Sequence, residues 1–243
     1  MNLTIDIGNT ATKWASFEGR ELTGHGYGLP EGLLREAVRV MVCASGDVEE
    51  TLERIAAAKG PGPADGGEQW LHVLGPETPL PIRLDYKTPA TLGADRVADA
   101  CGAAGLHPGE ACVVIDAGTC ITVDFVDAQG TYHGGAIMPG LKMNLQALHT
   151  FTAKLPLIDL EGVDKAPVLG RTTEESILAG TVGATLLALA GYVALYKEKA
   201  PALRVLLTGG DAERLAALGA RGWEMVPQLT MIGLNEIMIN LNN

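Results

Sequence analysis

Leu3-Thr4-Ile5-Asp6-Ile7-Gly8-Asn9-Thr10 and Val113-Val114-Ile115-Asp116-Ala117-Gly118-Thr119 state one pattern twice, about 110 residues apart. In each, a hydrophobic strand runs into Asp-x-Gly and then into hydroxyl-bearing residues. A carboxylate can hold a metal ion, glycine lets backbone N–H groups approach an anion closely, and Asn or Thr completes the hydrogen bonds. The repeat predicts two similar half-molecules, each presenting such a loop to a shared cleft. A nucleoside triphosphate with Mg²⁺ would need two loops of this kind.

The surroundings of the two copies repeat as well. Lys13–Phe17 and Glu21–Tyr27 read as strands after the first loop, and Cys120–Asp127 and Thr131–Met138 as strands after the second. Alternating helices and strands follow both times. Val38–Ala44, Trp70–Leu74, Arg204–Thr208 and a short piece near Met225 read as strands. Helices are expected after Asp47, over 94–105, 141–151, 173–196 and 211–218, and from about Met231. Pro76–Pro89, with four prolines, reads as extended or irregular. The break between halves falls near His107-Pro108-Gly109, giving domains 1–108 and 109–243. The expected fold class is α/β: two tandem ribonuclease-H-like (actin-like ATPase) domains with an interdomain nucleotide cleft.

Composition narrows the partners. A net charge of −11 argues against nucleic acid, which is bound through clustered Lys and Arg. It leaves a single nucleotide possible, because a metal neutralises that charge locally. The four cysteines (Cys43, Cys101, Cys112 and Cys120) form no C-x-x-C pair, and Cys112 and Cys120 lie in apolar runs that read as buried thiols. With no secretory signal in view, a cytoplasmic location is expected. Ile177–Leu195 is 19 residues without a charge, long enough to span a bilayer. Its Gly180, Thr181, Gly183, Thr185 and Gly191 fit a helix buried in a soluble protein, or packed against a twin, better than a membrane span.

Each motif has a plain structural reading beside the chemical one. Gly8-Asn9 is also a hairpin signal. Lys13 can reach a phosphate or merely decorate a strand. Asp124 reads as a strand carboxylate facing solvent, and His133 as a local hydrogen-bonding group. Asp95-Arg96, taken alone, reads as a helix cap and a surface charge. Gly134-Gly135 permits close approach to the sheet or a tight bend.

Taken together, five motifs occur in order: D-x-G-N-T at Asp6–Thr10, Y-x-x-P-x-x-L-G-x-D-R at Tyr86–Arg96, D-x-G-T-x-x-T-x-D at Asp116–Asp124, G-G-x-x-x-P-G at Gly134–Gly140 and G-x-x-T at Gly170–Thr173. On these the chain resembles the type III pantothenate kinases of the actin-like kinase superfamily, over almost its full length. The resemblance implies ATP-dependent phosphorylation of pantothenate to 4′-phosphopantothenate, the first step of coenzyme A biosynthesis. It implies that Asp6, Ile7, Gly8, Asn9, Thr10, Ala11, Thr12 and Lys13 bind ATP with Thr119, and that Asp6 serves Mg²⁺. It implies Asp95 as general base, and Tyr86, Gly93, Ala94, Asp95, Arg96 and Thr173 around pantothenate, Thr173 coming from the partner of a homodimer. Asp116 would hold the monovalent cation, K⁺ or NH₄⁺. Thr208-Gly209-Gly210 looks like the adenosine-side turn. A non-catalytic nucleotide-binding accessory protein of the same fold is the alternative. No membrane partner is expected.

Overall fold

The computed structural model describes residues 1–8, 10–44, 49–59 and 70–241. Asn9 and the helix cap expected at Asp47 lie outside the described residues. Two compact units emerge. The first comprises Met1–Pro108, Gly130–Tyr132 and Gln228–Asn243; the second comprises Gly109–Gln129 and His133–Pro227.

The first unit is built on a five-stranded sheet of β1 (Asn2–Ile7), β2 (Thr12–Glu18), β3 (Glu21–Tyr27), β4 (Arg39–Ala44) and β5 (Leu71–Val73), in the order β3-β2-β1-β4-β5. β1 pairs antiparallel with β2 and parallel with β4, and β4 pairs parallel with β5. Both faces are covered, so β1 is buried at successive positions, Leu3, Thr4 and Ile5, although its apolar residues strictly alternate. On one face Leu3, Ile5, Ile7, Val40 and Val42 pack with Leu34 of α1 (Glu31–Glu36) and Ile55 of α2 (Glu49–Lys59). Against the strands also lie α3 (Ala94–Leu106) and α8 (Leu229–Asn240), where the buried Thr4 hydroxyl reaches the Met231 sulfur at 3.4 Å.

Small residues let α3 and α8 touch backbone to backbone. A Cβ on Gly233 would strike the Ala98 carbonyl, and one on Gly102 would strike the Leu229 carbonyl. This close crossing accounts for the Ala- and Gly-rich sequence of α3. The far end of α8 is tied to the β2–β3 turn. Arg20 grips Glu236 at 2.7 and 2.9 Å, and Asn235 donates to the Gly19 carbonyl at 2.8 Å while accepting from Asn2. The sequence reading groups 228–243 with the second half; these contacts place it in the first unit. A two-residue strand, β6 (Arg83–Leu84), pairs in parallel with Thr131 and Tyr132 of the same unit.

The second unit repeats the topology. Its strands β7 (Cys112–Ala117), β8 (Cys120–Val126), β9 (Thr131–Pro139), β10 (Arg204–Thr208) and β11 (Glu224–Met225) run in the order β9-β8-β7-β10-β11. β7 pairs antiparallel with β8 and parallel with β10, and β10 parallel with β11. Position for position this is the arrangement of the first unit, so the duplication seen in two short motifs extends to whole sheets. The core gathers Val113, Ile115, Ile121, Val123, Val205 and Leu207 under α4 (Leu141–Thr150) and α7 (Ala212–Leu218).

The helix expected over 173–196 runs from Thr173 to Lys199 but is not uniform. α5 (Thr173–Leu178) and α6 (Ala184–Lys199) are joined by a π-helical turn at Ala179–Gly183. The buried Thr181 hydroxyl donates to the Ile177 carbonyl at 2.7 Å, and Gly183 lets the Pro167 carbonyl approach where a Cβ would block it. By length and composition alone this helix could cross a membrane. Instead Ile177, Leu178, Val182, Leu189 and Val193 lie in the second unit's core. Burial on all sides is not observed: Leu187 and Leu195 are 61% and 59% exposed.

Two further expectations are corrected. Cys120 is exposed while Cys112 is buried, because Cys120 is the first residue of β8, at the mouth of the loop and not inside the ladder. Asp124 faces no solvent; it is fully buried within β8.

Candidate active site

The first Asp-x-Gly loop is a tight β-hairpin connection. Ile7 pairs with Thr12, and the Gly8 N–H donates to the Ala11 carbonyl at 3.2 Å, so the hairpin reading and the anion-loop reading describe the same object. Asp6 stands next to this turn, in register with Lys13 on one side and Cys43 on the other. Side chains opposite one another in a ladder share a face, so the three converge. Burial pushes the Asp6 carboxyl up to about 6, with Lys13 opposing the rise and Asp95 adding to it. The Cys43 thiol donates a hydrogen bond to Asp6. Its own pKa lies well above the usual thiol value through burial, then through the charges of Asp6, Asp95 and Asp99.

Asp6 and Asp95, read from motifs 89 residues apart in sequence, are therefore near neighbours in the first unit. Asp95 is the second residue of α3, with Gly93 as the N-cap. Its Oδ1 accepts from the Arg96 N–H at 2.8 Å and folds back over Gly93, where any Cβ would collide with it. This close approach requires glycine at 93. Asp99, one helical turn further on, is buried and accepts from Thr230 at 2.7 Å.

Arg96 is not the surface charge of the plain reading. It is 6% exposed, with its guanidinium carbon 6.0 Å from the centre of the Tyr132 ring. Tyr86 meets the other partner of that stack, its ring 5.9 Å from Tyr132. Thus Tyr86 and Arg96 are brought together by a residue that the motifs do not contain. Beside them lies a cavity of about 460 Å³, lined by Leu74, Leu84, Thr91, Gly93, Ala94 and Val97 among others. Among the described residues of its lining, Thr91 supplies the one polar side chain. The volume suits a small organic molecule.

The second Asp-x-Gly loop, in the second unit, is framed by backbone. The Gly118 N–H donates to the Cys120 carbonyl and the Gly140 N–H to the Thr119 carbonyl, each at 3.0 Å. The Asp211 N–H donates to Ala117 at 2.9 Å, and Gly209, at φ +92°, leaves room for the Asp116 carboxylate where a Cβ would strike it. Gly140 of the fourth motif and Gly209 of Thr208-Gly209-Gly210 are therefore packing partners of this loop. Asp116 lies in register between Thr208 of β10 and Thr122 of β8. Thr119 is exposed at the loop.

Thr173 opens α5, exposed, with Thr172 as N-cap. The Thr172 hydroxyl accepts from the Glu175 N–H at 3.1 Å, and Glu175 accepts from the Arg171 N–H at 2.6 Å. This reciprocal cap spends the Thr172 hydroxyl on the helix itself. Gly170 is required here, since its Cβ would strike the Ser176 backbone. His133 behaves as the plain reading expects, meeting Asp127 at 2.7 Å.

Cys43, Asp99 and Tyr132 are the neighbours that motif reading missed, and Thr122 stands in the third motif with no role assigned to it. Asp99 follows Asp95 by four residues and so shares its helix face, a signal available in the sequence. Cys43 and Tyr132 reach the site through strand register, which the chain does not spell out.

A family model for type III pantothenate kinases matches residues 67–195. A type III pantothenate kinase of Phocaeicola vulgatus is 40% identical over 223 residues, 87% of this chain and 86% of that protein. One of Cytophaga hutchinsonii is 34% identical over 98% of both. Among solved structures, a glucokinase from an Antarctic psychrotroph covers 98% of this chain and 98% of its own, with a TM-score of 0.50 at 12% identity, a likeness of fold.

Proposed function

The chain belongs to the type III pantothenate kinase family, and from that premise we infer which of its residues carry the chemistry. The enzyme transfers a phosphoryl group from ATP to pantothenate, in coenzyme A biosynthesis, and uses ATP with a divalent metal. The accessory-protein alternative is not favoured by relatives that are kinases.

Asp95 is the general base. It takes the proton from the primary hydroxyl of pantothenate as that oxygen attacks the γ-phosphorus, while the bond from phosphorus to the ADP oxygen breaks. An alcohol is a weak nucleophile at neutral pH, so a carboxylate in contact with it is the device the reaction asks for. The observation that carries this reading is the meeting of Asp95 with Asp6 beside the apolar cavity at Gly93 and Ala94. Substrate alcohol and phosphate chain must meet at one place, and this supports that place.

Asp6 holds the Mg²⁺ of the nucleotide. A carboxylate made costly to ionise by burial and by Asp95 fits a cation, which would relieve both. The metal neutralises charge on the phosphates. Residues 6–13 cradle the phosphate chain with Thr119, the Gly8 turn through backbone and Lys13 as a point charge. Arg96, braced on Tyr132, presents its fork to the pantothenate carboxylate, with Tyr86 alongside.

Asp116 takes the monovalent cation, K⁺ or NH₄⁺, a reading supported by its position in register between the hydroxyl-bearing Thr208 and Thr122. The enzyme is a cytoplasmic homodimer. Its interface is the open apolar face of the Thr173–Lys199 helix, with Val168 and Leu169, 80% and 77% exposed, close by. Through that interface Thr173 enters the partner's pantothenate site.

The test is ADP release from pantothenate and MgATP, with and without K⁺. Asp95→Asn should abolish turnover while binding of ATP persists; unchanged activity would remove Asp95 as base. Mixing Asp95→Asn with Thr173→Ala subunits should restore activity that neither has alone. A lack of complementation in verified mixed dimers would remove the shared site.

A further inference from the structure

We propose that the Thr122 hydroxyl is a ligand of the monovalent cation, completing with Asp116 a site formed by adjacent strands of the second unit. The inference rests on the assignment of that cation to Asp116. Asp116 and Thr122 are direct partners in the antiparallel β7–β8 ladder. Opposed residues place their Cβ atoms roughly 5 Å apart on one face, so two oxygens on those side chains can share one ion between them. Thr208 flanks Asp116 on the other side, also in register and 2% exposed, so the ion would rest on a row of oxygen-bearing residues across three strands.

The second observation is independent of register. Thr122 is 8% exposed, and its Oγ1 is buried without a hydrogen-bond partner among the described residues. The large majority of buried hydroxyls are paired, because stripping water from one without replacement is costly. An orphan at this position therefore asks for a ligand. It does not bond to Asp116, although the two are opposed, which leaves its lone pairs available.

The chemistry selects the kind of ion. A hydroxyl is a neutral donor, and neutral oxygens replacing a hydration shell suit a weakly hydrated monovalent cation. Mg²⁺ gives up its waters reluctantly and is bound through one or two carboxylates. One carboxylate with hydroxyl neighbours matches K⁺ or NH₄⁺ in charge and softness of field. The threonine in the motif D-x-G-T-x-x-T-x-D, left without a role by the resemblance, acquires one.

The experiment is a KCl titration of thermal unfolding on the full chain, in the presence of ADP, with choline chloride holding ionic strength constant. Wild type should gain a saturable rise in Tm. Asp116→Asn should lose it. Thr122→Val should move the midpoint to at least about tenfold higher KCl, Thr122→Ser should stay close to wild type, and Thr122→Ala serves as a second hydroxyl-free variant should valine fail to fold. Without K⁺, Thr122→Val should unfold no lower than wild type, since it removes a stranded hydroxyl. Hydroxyl-free variants that titrate like wild type, while Asp116→Asn does not respond, would overturn the role of Thr122 and leave Asp116 standing. A wild type that ignores KCl would overturn the Asp116 assignment and this inference with it.

Discussion

Replacing Asp6 by Asn should stabilise the metal-free protein at neutral pH while destroying its activity. The Asp6 carboxyl titrates near 6 in the folded chain against an ordinary 3.8, raised first by burial. A group whose folded pKa is raised binds its proton more tightly in the native state than in the unfolded one. Its stabilising contribution is complete below 3.8 and is lost as pH rises through about 6. The gap between about 6 and 3.8, at 1.36 kcal/mol per pH unit, amounts to about 3 kcal/mol. Asn keeps the shape and never ionises, so it avoids the loss. In EDTA, urea unfolding of wild type and Asp6→Asn across pH 4 to 8 isolates the effect, because other titrating groups cancel in the difference. The variant should gain on wild type by up to about 3 kcal/mol over that range. Excess Mg²⁺ with ATP should reverse the order, since the cation stabilises only the carboxylate. A stability difference that is flat with pH would refute the claim that Asp6 is held ionised against its surroundings.

Three other perturbations read separate parts of the structure. Gly93→Ala puts a Cβ against the Asp95 carboxylate; an intact fold by circular dichroism with kcat lowered about a hundredfold is expected from a displaced base, and a wild-type kcat would disprove the packing. Arg20→Ala removes two bonds to the buried Glu236; denaturant unfolding should show a loss of about 1–2 kcal/mol, discounted for the exposure of Arg20, with KM values unchanged. Tyr132→Phe, which keeps the ring under Arg96, should leave the KM for pantothenate near wild type, while Tyr132→Ala should cost about 3–5 kcal/mol and raise that KM as Arg96 loses its support; equal KM values in the two variants would separate Arg96 from the substrate.

What could be read from the chain was what local chemistry writes into it. Alternating apolar runs ending in Asp-x-Gly announced β1 and β7, and Arg204–Thr208 is the observed β10 to the residue. α1, six residues long after Pro30, leaves no periodic stretch long enough to notice. The π-helical turn could not be read either; it is accompanied by the close approach of the Pro167 carbonyl to Gly183, a tertiary contact that no local pattern announces. The same holds for α8. Its apolar sequence is as suited to either unit, and membership of the first is decided by Gly233 against Ala98 and by the Asn235 and Glu236 bonds to the β2–β3 turn. Cys120 misled because the apolar run after it is real but begins one residue later. For the site, motif order identified residues, whereas strand register supplied Cys43 and Thr122, and side-chain stacking supplied Tyr132.

The two Asp-x-Gly copies share topology and differ in company, and the company explains why one duplicated loop can serve two unlike ions. Across the ladder from Asp6 stand an ammonium and a thiol, with two further carboxylates on α3 close enough to be felt by that thiol. Burial first and then Asp95 raise the cost of ionising Asp6, against the help of Lys13, and a doubly charged ion with its phosphates would repay that cost. Across the ladder from Asp116 stand two threonines. Their hydroxyls put neutral oxygen beside the carboxylate, which is the field a singly charged ion prefers. On the proposed assignments, the duplication made two equivalent loops, and the residues opposite them in register, Lys13 and Cys43 in one sheet and Thr122 and Thr208 in the other, made them different.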